Sequence, residues 1–139
     1  MTFSPLMSRS YSMLEPNHSP RTGKVSRLII HHTAGGDESS LINLFRRSRA
    51  AAKRTVSVTY VLTPDGRLLG FVPENRRPWT SGGSAADGVA VTVETMTSKA
   101  NGYKATTAQM EKLAQLAADP HMIERGAVDL SQTQYLVLD

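Results

Sequence analysis

The sequence predicts a single α/β domain: a mixed central β-sheet flanked by α-helices. Three observations carry that expectation. Short runs rich in β-branched residues, around Leu28-Ile29-Ile30, Val56–Leu62 and Val89–Val93, are separated by stretches with helical spacing. The chain has 139 residues, 40% of them hydrophobic, which suffices for one domain with a real core. The order strand, helix, three strands, helix, strand requires a sheet with helices packed on its faces.

Residues 1–24 hold Pro5, Pro16 and Pro20 among many serines, without periodicity, and read as an extended arm laid over a domain spanning 25–139. The first strand covers Val25–His31. Leu28, Ile29 and Ile30 form an unbroken apolar run, the pattern of a strand buried on both faces. Gly35-Gly36 then ends it. A helix follows, capped by Asp37 or Ser39, with Leu41, Leu44, Phe45 and Ser48 as a stripe running on towards Ala52. Its outer side carries Arg46, Arg47, Arg49 and Lys53, either a solvated face or a polyanion contact. Thr55–Leu62 reads as the second strand. Pro64-Asp65-Gly66 supplies the turn into a third, Arg67–Val72. Pro73–Gly88, with the lone Trp79, reads as one long loop.

Val89–Thr95 alternates, placing Val89, Val91 and Val93 on one face and Ala90, Thr92 and Glu94 on the other. Thr106-Thr107-Ala108-Gln109 has the form of a capping box. It opens a helix whose expected buried stripe is Met110, Leu113, Ala114 and Ala117, stopped by Pro120. The chain then turns at Gly126 and ends in a strand at Tyr135–Leu138.

Composition narrows the function. No apolar run approaches the roughly 18 residues that span a bilayer, so no membrane insertion is expected. Met1–Ser12 lacks a basic segment followed by an apolar one, so no signal peptide is expected. With Cys at 0, disulfides and thiolate ligands are excluded. A net charge of +4 suits an anionic partner (nucleic acid, a membrane surface or an acidic wall polymer) or serves solubility alone.

Chemistry concentrates at strand ends. His31 and His32 are adjacent in an extended segment, so their side chains leave opposite faces and can hardly share one metal. A carboxylate at the end of a central strand, Glu94, is expensive without a partner or a task. His31 and Glu94 facing one cleft would suit a metal-activated water with Glu94 taking its proton. Ser57, Ser81 and Ser84 lie in no Gly-x-Ser-x-Gly elbow, and no phosphate-binding or dinucleotide fingerprint is present.

The motifs in sequence are more specific. Leu28–Gly35, Val56–Leu62 before Asp65-Gly66, Phe71–Trp79 and Val91–Glu94 together resemble the zinc N-acetylmuramoyl-L-alanine amidases, most of all the amidase domain of phage endolysins, related to peptidoglycan-recognition proteins. The resemblance covers about residues 25–118. It implies that His31 is the first zinc ligand, that Glu94 is the general base, and that His32, Thr33 and Trp79 meet the substrate. The position of a catalytic Tyr in some branches is Val58 here, which favours the branch that uses Glu. The family's second His and third ligand follow the last helix. This chain ends at Asp139, about where they should begin, so a truncated domain with an incomplete site for one Zn²⁺ is expected, with His121 as an alternative ligand.

The expected function is hydrolysis of the N-acetylmuramoyl–L-alanine bond by zinc-activated water, in a monomeric phage or prophage lysin made in the host cytoplasm and acting on the cell wall. The alternative is a catalytically incomplete module that binds peptidoglycan. A nucleic-acid binder using Arg46, Arg47, Arg49, Lys53 and Arg54 is disfavoured, since no base-stacking aromatics interleave with those cations.

Overall fold

The structure, a computed structural model, describes residues 3–13, 18–47, 56–80, 84–119 and 135–138, the last stretch as backbone. Its centre is a pair of parallel strands. Their apolar runs are covered on both sides, as central parallel strands require. β3 (Arg27–His32) lies beside β7 (Ala90–Thr95) in the register Leu28↔Val91, Ile30↔Val93 and His31↔Glu94. β4 (Tyr60–Leu62) is parallel to β7 and forms an antiparallel hairpin with β5 (Leu68–Gly70). β1 (Arg9–Ser10) adds to β5, and β8 (Tyr135–Leu138) to β3, both in parallel. The resulting order is β1-β5-β4-β7-β3-β8, a mixed sheet as the sequence predicts.

Strand alternation divides the core in two. Leu28, Tyr60, Leu62, Leu68, Val91 and Val93 meet Leu116 and Ala117 of α3 (Thr107–Ala118). Val58, Val61, Leu69 and Phe71 meet Leu41 and Phe45 of α1 (Glu38–Arg46). Asp37 caps α1, its carboxylate accepting the Ser40 N–H at 2.7 Å. Ser48 and Ala52, expected on the same stripe, lie outside the described residues.

Four expectations need correction. Of the strand expected over Thr55–Leu62, Thr55 lies outside the described residues and the rest is regular only from Tyr60, because hydroxyls compete for the backbone before it. The Ser57 Oγ accepts the Trp79 N–H at 2.8 Å, and the Thr59 N–H donates to the Thr92 Oγ1 at 3.2 Å. The span read as one long loop contains β6 (Arg76–Pro78) and a short helix, α2 (Ser84–Asp87). β6 forms a separate two-stranded ribbon with β2 (His18–Pro20), so its partner comes from the N-terminal segment.

The third correction concerns α3. Met110 is 62% exposed and Ala114 is exposed too. The inward face is instead Gln109, Leu113, Leu116 and Ala117. Gln109 is fully buried because it works twice: its Oε1 caps the Thr106 N–H, while its Nε2 donates to the Leu62 and Met96 carbonyls at 3.2 and 2.7 Å. The fourth is the N-terminal segment, which is built into the sheet edge. Phe3 and Met7 lie so close over Gly70 that a Cβ there would collide with both.

Candidate active site

On the α1 side of the sheet, beyond the carboxyl ends of β3 and β7, lies a cleft of about 370 Å³. The crevice past the strand ends is where open α/β sheets place ligands. Leu41, Leu44, Phe45 and Val56 give it an apolar wall; His32, Thr33, Ser57, Thr80 and Glu94 give it polar groups.

Among the described residues Glu94 is the one carboxylate in that lining. It stands half-buried at the end of a strand whose other members are fully covered. Burial disfavours its ionised form and pushes its carboxyl up to about 7. His31 is level with Glu94 on the neighbouring strand, and residues in parallel register leave the sheet on the same face. The His31 Nε2 is closed off from solvent, and His31 is not among the cleft-lining residues.

His32 turns to the loop after β7. Its Nδ1 shares a hydrogen bond with the Thr97 Oγ1 at 2.9 Å, and the same hydroxyl accepts the Ala34 N–H at 3.3 Å. Thr33 completes the clasp, its Oγ1 accepting the Thr97 N–H at 3.2 Å. These bonds hold Ala34 at φ +55°, a conformation costly for a residue with a Cβ. The strand ends are thus fixed to each other by threonines.

Trp79 stands apart from the cleft. Its indole N–H donates to the Ser19 Oγ at 2.6 Å, tying it to β2. Its neighbour Thr80 reaches the wall instead, donating to the Ser57 carbonyl at 2.7 Å and lying 2.9 Å from the Thr92 hydroxyl. Buried Asp87 accepts the Thr80 N–H at 3.0 Å. The sequence alone does not mark Thr80 or Ser57 as residues of a cleft wall. The alternation of Ser57 with Val56 and Val58 was a usable signal; Thr80 had none.

Two further charged features are structural. Glu74, inside the Pro73-Glu74-Asn75 motif, is fully buried and accepts the Tyr60 hydroxyl at 2.5 Å, and that hydroxyl accepts the Ser4 N–H at 2.6 Å. Arg46, expected on a solvated face, donates to the Ser12 carbonyl at 2.8 Å and lies 6.0 Å from the Tyr11 ring centre. Arg49, Lys53, Arg54 and His121 lie outside the described residues. Among the described residues no three His, Cys, Asp or Glu side chains come together as a metal site.

Comparison with known proteins agrees with this architecture. The sequence model of the N-acetylmuramoyl-L-alanine amidases matches residues 21–134. Among solved structures, selenomethionyl AmpD is similar at a TM-score of 0.68 with 17% identity, covering 99% of this chain and 86% of that one. The endolysin N-acetylmuramoyl-L-alanine amidase LysCS from Clostridium intestinale gives 0.63 with 15% identity, over 94% and 81%. The Drosophila peptidoglycan recognition protein PGRP-SA gives 0.66 with 13% identity, over 88% and 73%. No curated protein sequence matches significantly.

Proposed function

The chain belongs to the N-acetylmuramoyl-L-alanine amidase family, and from that premise we propose that it hydrolyses the amide joining the lactyl group of N-acetylmuramic acid to L-alanine in bacterial peptidoglycan. The observation that carries this reading is Glu94: the one carboxylate among the described residues of the cleft, held near 7 by burial and level with His31. A group of that pKa takes a proton from water and returns it to a leaving amine at neutral pH. The leaving group here is the α-amine of L-alanine.

The apolar wall of Leu41, Leu44, Phe45 and Val56 suits the methyl groups of lactate and alanine, and the hydroxyls of Thr33, Ser57 and Thr80 suit the amides beside them. His32 joins Thr33 as a contact at the rim. Trp79, tied to Ser19 beyond the cleft, is an outer contact for a polymer longer than the cleft. A zinc ion, as the family resemblance implies, would polarise the scissile carbonyl and acidify a water, with His31 as one ligand. The described donors fall short of the three protein ligands such a site takes. What the described residues themselves supply is proton handling and a shaped wall.

The protein acts, on this reading, as a monomeric phage or prophage lysin made in the host cytoplasm and directed at the cell wall. Among the described residues no helix is long and apolar enough to cross a membrane. The test is release of new L-alanine amino termini from purified peptidoglycan, with and without added zinc. Glu94→Gln should lower that rate by about 10²–10⁴-fold. Retention on insoluble peptidoglycan without any release would favour the second reading, a binding module that lacks a working site.

A further inference from the structure

Tyr103 occupies a position that its local energetics do not explain. Its φ is +59°, left-handed backbone where turns usually place Gly or Asn. It is also 46% exposed, so burial returns little of that cost. The turn around it is tightly fixed. The Tyr103 N–H donates to the Ser98 carbonyl at 2.9 Å, the Lys104 N–H to the Asn101 carbonyl at 3.4 Å, and the Asn101 Nδ2 to the Lys104 carbonyl at 3.0 Å. Two residues on, Thr106 anchors the loop to the Pro64 carbonyl at 2.6 Å. The ring stands edge-on to His32, with centres 6.4 Å apart. That places it beside His32, at the carboxyl end of β3.

A rigid loop that holds an aromatic ring out in left-handed backbone beside the site is a built contact. We propose that Tyr103 is a platform for a saccharide ring of the glycan strand. The C–H face of a pyranose packs on an aromatic ring, as other apolar surfaces do. Its hydroxyl and acetamido groups find the exposed Ser98 hydroxyl on the same loop, where the Asn101 amide braces the turn. The inference rests on the amidase reading and adds to it where the sugar lies: over the loop after β7, with the peptide continuing into the cleft.

The probe is the disaccharide N-acetylglucosaminyl-N-acetylmuramic acid without peptide, titrated into the whole chain and followed by NMR. The Tyr103 ring signals should move with saturation. Tyr103→Gly should weaken the disaccharide by about tenfold. The same substitution should raise Tm, because glycine accepts the positive φ. That combination separates lost contact from lost fold. Tyr103→Phe should bind as the parent does, and Tyr103→Asn, which also tolerates this backbone, should behave like Tyr103→Gly. Unchanged affinity in Tyr103→Gly or Tyr103→Asn, or no binding by the parent, would overturn the platform. So would ring shifts caused by L-alanyl-D-glutamate but not by the disaccharide. Failure of the parent to cleave peptidoglycan would sink the amidase reading instead, while the disaccharide titration still judges Tyr103.

Discussion

Glu94 gives the residue scale its clearest consequence. Its carboxyl is held at about 7 by burial against an ordinary 4.5, so the fold prefers the protonated form. The stability this contributes in the metal-free chain is fully present below pH 4.5 and lost as pH rises through 7. Its size is on the order of 3 kcal/mol. His18 works the other way: burial, with Arg76 beside it, lowers its pKa, so its contribution falls as the solution is acidified. The difference between the parent and Glu94→Gln isolates Glu94, because His18 is common to both. Urea unfolding from pH 4.5 to 7 should show the parent losing stability relative to the variant across that window. Parallel curves would mean that Glu94 has the same pKa in the fold as in the unfolded chain. A second residue argues from hydrogen bonds. Gln109→Leu leaves the Leu62 and Met96 carbonyls without their donor and should cost about 1–3 kcal/mol. Met110→Ala on the exposed side should stay within about 0.5 kcal/mol. Equal losses in chemical denaturation would restore the stripe that periodicity suggested. Glu94 was legible because strand alternation forces a charge onto a covered face. Gln109 was hidden, since a polar residue inside a helix reads as outward until its carbonyl partners are seen.

At the scale of elements, legibility follows length. β3, with its apolar run Leu28–Ile30, and the alternating β7 each extend over six residues, long enough to carry a pattern. β1 and β2 have two and three residues, and β6 has three, too short for any pattern to rise above composition. Their partners are distant in sequence, Arg9 with Leu69 and His18 with Pro78, which no local signal encodes. What fixes β1 is close packing. Phe3 and Met7 lie over Gly70 where a side chain would stand, and the Tyr11 ring stacks on Phe71 with centres 5.3 Å apart. Gly70→Ala should therefore push the segment off the sheet edge at a cost of about 1–3 kcal/mol, the usual penalty of overpacking. Limited proteolysis would show cleavage within residues 3–13 well before the rest of the chain. A variant with the parent's Tm and digestion pattern would mean that Phe3 and Met7 do not hold the segment down.

At the scale of the molecule, the six-stranded sheet has two unlike faces, and the charge must be judged against that. The α3 face is a filled core; the α1 face opens at the strand ends into a cleft with an apolar wall and, among the described residues, one carboxylate. Fold class was legible because element order alone demands such a sheet. The cleft's wall was not, since Thr80, Ser57 and Phe45 meet only once the chain is folded. Of the basic helix end, Arg46 is engaged by the Ser12 carbonyl and the Tyr11 ring, Arg47 is exposed, and Arg49, Lys53 and Arg54 lie outside the described residues, while the whole chain carries +4. Long-range attraction to an anionic wall is screened over about 8 Å at physiological ionic strength, whereas contacts in a half-closed cleft are screened far less. Retention on insoluble peptidoglycan should accordingly fall several-fold between about 50 and 300 mM salt, as the Debye length shortens. Binding of the uncharged portion of the substrate should stay nearly flat over the same range. Charge reversal at Arg46 should disturb the N-terminal segment, which proteolysis reports, as well as retention. Reversal at exposed Arg47 should touch retention alone. If retention were flat with salt and indifferent to Arg47, the positive charge would have no part in finding the wall, and affinity would reside in the cleft and the loops beside it.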